Sequence, residues 1–364
     1  MYNHRSKTVT QKDIAARLNL SKVSISKALR DHPDISQVTK DLVKSAALEM
    51  GYTPNVLARN LAEGRSRTIG VVVPKIAHNF FSTSIESIYD VAYERGYDVI
   101  LTVSQENHEN EIKHLQTLLS MRVDGILISV SEQSKKAKIF DMIRDKNVPL
   151  VFFDREVAGL GFSSVTCDDE GGAYLATQHL FERGYKRIAH IAGYSTMNIG
   201  AKRLKGYRRA MSDAGIQVSP NWVAEGGFSE KDGYAGFKKI ASRGPLPEAI
   251  FTVTYPVALG VQAAAKEMGL NVPGDIDVIC FGSNEVSQFV NLNISYIHQP
   301  AEELGRQAAN ILFQEMQNPD APQVQRLVLD TELVPCDSCS DLTQDGKKEM
   351  KTGETEYSGE SIHS

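Results

Sequence analysis

The chain has 364 residues with a formal net charge of −5, long enough for two or three domains and a sizeable core. The charge is uneven: residues 1–68 hold twelve Lys/Arg against six Asp/Glu, whereas 337–364 hold three Lys against seven Asp/Glu. A basic module on an acidic body suits a nucleic-acid reader that must not adhere to DNA over its whole surface. No run approaches the ~20 apolar residues of a membrane span, and the opening Met-Tyr-Asn-His-Arg-Ser-Lys lacks the apolar stretch of a signal peptide, so a cytoplasmic location is expected.

The first element is a helix in which Ile14, Ala15 and Leu18 recur at helical spacing, with Thr10 as N-cap and Asp13 completing a capping box. A tight Asn19-Leu20 turn leads to Ser21, a second N-cap. The next helix buries Ile25, Ala28 and Leu29 and leaves Lys22, Ser24, Ser26 and Lys27 polar, the set needed to meet phosphates and base edges. Taken alone, this stretch reads as a DNA-binding helix-turn-helix or as an ordinary surface helical hairpin. A third helix carries Val38, Leu42, Val43, Ala46, Ala47 and Met50 on its apolar face, and Gly51 stops it. Asn55 to Ala62 is a short helix with too little apolar surface to stand alone, flanked by Arg59, Arg65 and Arg67.

With the hairpin before it, Gly51-Tyr-Thr-Pro-Asn-Val-Leu-Ala-Arg-Asn-Leu-Ala-Glu-Gly64 resembles the headpiece and hinge helix of the lactose-repressor (LacI/GalR) family of transcription regulators. The resemblance runs from about Thr8 to Pro335. It implies a homodimer on a pseudo-palindromic operator, two hinge helices paired in the minor groove, Leu61 wedged between base pairs and Ala58 permitting close approach. The DNA contacts it implies are Thr10, Ser21, Lys22, Val23, Ser24, Ser26, Lys27, Arg30, Asn55, Ala58 and Leu61.

From Thr68 short apolar runs alternate with helical periods, the sign of a parallel α/β sheet. Strands are expected at 69–73, 98–103, 125–130 and 150–153, then at 187–192, 249–253 and 277–281. Helices are expected near 81–95, 109–121, 134–146, 170–183, 200–214, 230–242 and 256–268. Glu94-Arg-Gly-Tyr97 recurs as Glu182-Arg-Gly-Tyr185, each time closing a helix before a strand. Two such lobes in tandem resemble the periplasmic-binding-protein fold, which closes on a small ligand by hinge motion. The expected organisation is a headpiece at 8–54, a hinge helix and linker at 55–67, a two-lobed effector-binding and dimerisation core at 68–335 and a disordered tail at 336–364. Lobe 1 is expected to take about 68–166 and 299–322, and lobe 2 about 167–298 and 323–335. The fold class is thus a small all-α headpiece on an α/β core of two doubly wound parallel-sheet lobes.

Open α/β sheets bind ligands beyond the carboxyl ends of their strands. There the resemblance assigns effector contacts to Phe80 and Phe81, which are equally compatible with core packing, and to Asp154, Arg155, Asp168, Arg203 in Arg-Leu-Lys-Gly-Tyr207, and Phe228. Two positions depart from the family pattern: Thr254-Tyr255 replaces Asn-Asp, and Cys280-Phe-Gly-Ser283 replaces Gly-Phe-Asp-Asp, leaving Gly282 where a sugar-binding Asp is usual. Thr254, Tyr255 and Gly282 are still expected at the site. With that acceptor gone and two arginines remaining, the expected carbohydrate-derived effector leans towards a carboxylate or phosphate bearer.

Enzymatic readings fail on absent motifs. There is no Walker A sequence, G-x-S-x-G or H-E-x-x-H, and Gly159-Leu-Gly161 lacks the third glycine of a dinucleotide loop. A sugar kinase would need phosphate-cradling glycines, and a transport binding protein a signal peptide. Cys336-Asp-Ser-Cys339 is a lone C-x-x-C without two further zinc ligands nearby, and His108 and His114 lie on a charged helical stretch. No cofactor, metal or membrane partner is expected.

Overall fold

A computed structural model describes residues 9–53, 65–132, 134, 138–282, 294–318 and 323–335. The expected hinge residues Asn55, Ala58 and Leu61, and the tail with Cys336 and Cys339, lie outside the described residues. The chain divides into two units, one up to Ser66 and one from Arg67 onward.

Among its described residues the first unit has three helices, α1 (Gln11–Leu18), α2 (Lys22–Leu29) and α3 (Gln37–Glu49). Asn19 turns the chain in the left-handed region at φ 52°, a conformation that asparagine tolerates well. Ile14, Ala15, Ile25, Ala28, Val43, Ala46 and Ala47 form one small core. Val38 and Leu42, expected on the buried face of α3, are instead exposed. Three short helices share too little surface to enclose a wide stripe, so only the narrow seam at 43, 46 and 47 is covered.

The second unit is built from two sheets. Lobe 1 contains β1 (Thr68–Val73), β2 (Asp98–Val103), β3 (Gly125–Ile128), β4 (Leu150–Phe153), β5 (Ser163–Cys167) and β11 (Arg326–Leu329), in the order β11-β5-β4-β3-β1-β2. Lobe 2 contains β6 (Ile188–Ala192), β7 (Val223–Glu225), β8 (Ala249–Thr252), β9 (Asp277–Phe281), β10 (Ser295–His298) and β12 (Glu332–Val334), in the order β12-β10-β9-β8-β6-β7. Among the described residues every ladder is parallel except β10 with β12. Parallel strands need crossovers, which are α4 (Asn79–Glu94), α5 (His108–Ser120) and α6 (Lys138–Asp145) in lobe 1, and α8 (Asn198–Asp213), α9 (Glu230–Ala241) and α10 (Tyr255–Glu267) in lobe 2. Two helices begin where the chain changes lobes: α7 (Asp169–Glu182) follows β5 into lobe 2, and α11 (Ala301–Gln317) follows β10 back into lobe 1.

The expected boundary near the C-terminus needs correcting. Residues 323–335 do not all join lobe 2: Arg326–Leu329 extends the lobe 1 sheet by pairing with Ser164–Cys167, and only Glu332–Val334 pairs in lobe 2. Both strands are short and half exposed, so their apolar pattern gives little hint of which sheet they complete.

The repeated Glu-Arg-Gly-Tyr phrase has a physical explanation. The Gly96 N–H bonds to the Tyr93 carbonyl and the Tyr97 N–H to that of Ala92; Gly184 and Tyr185 repeat this on Phe181 and Leu180. These are paired C-terminal caps whose left-handed residue is the glycine, at φ 71° and 93°. In each lobe the strand order reverses beside the first strand, between β1 and β3 and between β6 and β8, which opens a crevice at the carboxyl ends of both sheets.

Candidate functional site

In the first unit the turn between α1 and α2 is held by caps. The Thr10 N–H and hydroxyl both donate to Asp13 Oδ2, at 2.8 and 2.7 Å, and the Ser24 N–H donates to Ser21 Oγ at 3.0 Å. Thr10 and Ser21 thus open the two helices and direct their positive N-terminal ends. On α2, Lys22, Val23 and Arg30 are exposed, and Ser24, Ser26 and Lys27 are half-buried. Val23 is 66% exposed on the first turn of the helix, a position that packing does not explain. Two of the expected contacts have intramolecular partners: Lys27 Nζ bonds Asp34 at 2.7 Å, and Arg30 Nε donates to the Ser26 carbonyl at 3.1 Å.

In the second unit the crevice between the lobes encloses about 770 Å³ of atom-free space, part of it open to solvent. From lobe 1 it receives the β1–α4 turn, with His78, Asn79, Phe80 and Phe81, and the end of β4, with Asp154 and Arg155. Lobe 2 contributes Arg203, Phe228, Thr254, Tyr255 and Gly282, and Gln299 lies at the crossover into α11. Phe80 and Phe81 meet edge to face at 5.3 Å. Phe81 is both lining and core, whereas Phe80 is only partly buried.

Arg203 is buried and fully oriented. Its Nε and Nη2 donate to Asp169 Oδ1 at 2.9 and 2.7 Å, its Nη1 donates to the Val253 carbonyl at 2.6 Å, and its guanidinium lies 3.6 Å over the Phe281 ring. The Arg-x-x-Gly-Tyr spacing produces this arrangement. A β-carbon on Gly206 would stand 2.2 Å from the Glu170 carbonyl oxygen, so glycine lets α8 approach α7 and sets Arg203 beside Asp169. Tyr207, on the next position, anchors the helix to the Ile188 carbonyl at 2.8 Å.

Asp168, expected at the effector, does not line the crevice. It is the N-cap of α7, and its Oδ1 accepts the Gly171 N–H at 2.9 Å. The carboxylate that meets Arg203 is its neighbour Asp169, because the cap side chain must fold back on its own helix while the first helical residue points away. Burial pushes the Asp169 carboxyl up and Arg203 opposes it.

Arg155 is also engaged. Its Nη1 lies 3.0 Å from both oxygens of Glu106, its guanidinium stacks 4.6 Å over Phe228 of lobe 2, and its buried Nε has no hydrogen-bond partner. Glu132 extends this chain across the crevice. Its N–H donates to Glu106 Oε2 at 3.0 Å and its Oε1 accepts the Phe228 N–H at 3.3 Å. Asn198 makes a second lobe-to-lobe bridge, donating to the Asp154 carbonyl at 3.1 Å and accepting the Glu156 N–H at 3.3 Å. Asp154 itself sits in the left-handed region at φ 61°, a strained placement of a kind that marks functional sites. Burial pushes its carboxyl up to about 6 against the pull of Arg155 and Arg203. Burial lowers His78, whose neighbour Lys75 acts in the same direction, so His78 is neutral at pH 7.

At the two departures from the family pattern, Thr254 Oγ1 donates to the Phe228 carbonyl at 3.2 Å, and Gly282 adopts φ 75° with Gln299 against it. Sequence reasoning missed His78, Asn79, Glu230 and Gln299 on the lining and Asp169, Glu106 and Glu132 behind it. For His78 and Asn79 a signal existed, since they sit immediately before Phe80 at a strand end. For the partners of Arg155 none did.

A helix-turn-helix unit followed by two doubly wound lobes around a crevice defines a ligand-responsive DNA-binding regulator. Residues 10–55 match the family model described as bacterial regulatory proteins, lacI family, and 177–339 match that of a periplasmic binding protein-like domain. The HTH-type transcriptional repressor PurR of Pasteurella multocida is 32% identical over 308 residues, covering 84% of this chain and 92% of that protein. The PurR of Haemophilus influenzae is 32% identical over 330 residues, covering 89% and 97%. Among solved structures, the lac repressor dimer bound to operator and the anti-inducer ONPF matches with a TM-score of 0.79 at 26% identity, covering 91% of this chain and 98% of that one. The complex of the transcriptional regulator CelR with cellobiose matches with a TM-score of 0.69 at 28% identity, covering 91% and 99%. The chain belongs to the LacI family, as a DNA-binding transcriptional regulator with an effector-binding core.

Proposed function

We propose that the chain represses from a pseudo-palindromic operator as a cytoplasmic homodimer, and that a neutral, hydroxyl-rich effector of carbohydrate type in the crevice changes its hold on DNA. One headpiece would read each half-site through Val23, Ser24 and Ser26 on α2, while the caps Thr10 and Ser21, with Lys22, Lys27 and Arg30, meet the backbone. The hinge residues Asn55, Ala58 and Leu61 take the minor-groove role that the resemblance assigns them. Dimerisation is supported by the edge of lobe 1, where Tyr89 and Tyr93 on α4 and Leu101 on the edge strand β2 stay exposed. Apolar edge strands of this kind require cover.

The observation that carries the effector reading is the pairing of both arginines. Arg203 is held by Asp169 and Arg155 by Glu106, and Asp154 and Glu230 also face the crevice. An added anion would meet an excess of carboxylates, which reverses the lean towards an acidic effector. A neutral polyol would instead bond to Asp154, Asn79, Gln299 and the remaining arginine N–H groups, with its apolar faces on Phe80, Phe228 and Tyr255. A thermal-shift screen against neutral sugars, sugar acids, sugar phosphates and nucleosides tests this, because a specific binder raises stability by mass action. Stabilisation by a neutral sugar that fails in Asp154→Ala supports the reading, and exclusive stabilisation by anions overturns it. Selection from random DNA should return a two-fold symmetric motif.

A further inference from the structure

The effector crevice lies at the carboxyl ends of the strands, but lobe 1 has a second cavity at their opposite ends. It encloses about 640 Å³ of atom-free space, part of it open to solvent, beside the starts of β4 and β5. Val148, Pro149, Leu150, Phe162 and Val324 form its apolar wall, and Arg144, Asn147 and Ser163 also line it. Glu315, on the last turn of α11 and only 8% exposed, is the acid among the described lining residues.

The hydrogen bonding of Glu315 is incomplete. Ser163 Oγ donates to its Oε1 at 2.5 Å, and the same hydroxyl is already filled on its acceptor side by the Gln325 N–H at 2.9 Å. Among the described residues Oε2 accepts no hydrogen bond, yet it is not among the sealed polar atoms, and Glu315 lines the cavity. Among the described residues no Lys, Arg or His pairs with Glu315. Arg144 on the rim is committed elsewhere: it donates to the Leu160 carbonyl, pairs with Asp141 at 3.3 Å and lies 5.3 Å over Phe162. Burial pushes the Glu315 carboxyl up, as expected of an acid without a cation.

We propose that this cavity is a second ligand site, which takes a primary ammonium group on a short apolar body and anchors it on Glu315. The ammonium supplies the donor and the charge that Oε2 lacks, and the apolar body covers Phe162 and Val324 at the mouth. The site is independent of the effector crevice.

The test uses the full chain, with benzylamine as probe and benzyl alcohol as the neutral molecule of the same shape. Ligand-observed NMR titrations are run on wild type, Glu315→Gln, Val324→Trp and Asp154→Asn. Val324 is 46% exposed on the rim, so the tryptophan narrows the mouth without disturbing the core and serves even where Glu315→Gln misfolds. Saturable benzylamine binding is expected in wild type and Asp154→Asn. It should weaken about tenfold or more in Glu315→Gln and Val324→Trp, the loss expected for a charge-assisted bond, and benzyl alcohol should bind no better than those variants bind benzylamine. No saturable binding to wild type, equal binding to Glu315→Gln and Val324→Trp, or loss in Asp154→Asn instead would overturn the proposal.

Discussion

A β-carbon on Gly282 would stand 2.9 Å from Oε1 of Gln299, so the amide of Gln299 fills the space in which a side chain at 282 would begin. Gly282 also holds φ 75°, a left-handed conformation that L side chains adopt at a cost. Glycine at 282 is therefore matched by its surroundings, with the Gln299 amide packed against it. Gly282→Ala should lower stability by about 1–2 kcal/mol, seen as a lower urea midpoint. Adding Gln299→Ala should relieve the crowding but leave the backbone cost. A Gly282→Ala midpoint equal to wild type would show that the turn relaxes freely.

The Arg203–Asp169 pair is buried on both sides at 2.7 Å, so removing one partner strands a charge. Arg203→Ala should therefore destabilise the core by about 3–5 kcal/mol as well as abolish effector binding. The double variant Arg203→Met, Asp169→Leu should recover most of that stability without recovering effector response, because two apolar side chains replace the pair without leaving a lone charge. Denaturation of the three proteins, with effector shifts measured on each, separates the structural role from the ligand role. Single and double variants of equal stability would contradict the pairing argument.

Most of the fold could be read from sequence because its signals are local. Strand periods, caps such as Ser21, and the glycines closing α4 and α7 depend on neighbours a few residues away. The lining of the crevice was legible where a residue follows a strand end, as Asp154, Arg155 and Thr254 do. What failed depends on distant partners. Glu106 reaches Arg155 across 49 positions, and nothing near either residue signals the pairing. Asp168 and Asp169 are chemically identical neighbours, and only the first turn of α7 decides which one caps and which one meets Arg203. The carboxylate partners of the two arginines, Asp169 and Glu106, were likewise invisible in the sequence.

Asp154 makes stability depend on pH. Its carboxyl titrates at about 6 in the folded chain against an ordinary value of 3.8, so between those values the folded state holds a proton that the unfolded state has released. Folding is favoured by that proton at low pH, and this contribution is lost as pH rises through the window. By pH 7 the buried charge costs about 3 kcal/mol relative to the protonated form. Asp154→Asn keeps the shape without the titration. The stability of Asp154→Asn minus that of wild type should be flat below about pH 4, rise to about pH 6 and then level off. A difference that does not change with pH would mean that the carboxyl titrates normally.

In the headpiece, Lys22 and Val23 open α2 with their side chains free of the helical core, and they should contribute in different ways. A lysine meeting a phosphate adds affinity to every sequence and releases one counterion. Lys22→Ala should thus weaken specific and non-specific binding alike and reduce the salt slope of log K by about 1. Val23 offers an apolar surface suited to a thymine methyl, so Val23→Asn should change which base is preferred at one position of each half-site, with little effect on the salt slope. Leu61→Ala should behave in a third way, losing specific affinity far more than non-specific affinity, because a wedge between base pairs supports only the kinked operator complex. Binding titrations at several salt concentrations, on selected and on random DNA, distinguish all three. If Val23→Asn left the selected motif unchanged, α2 would not be the reading helix.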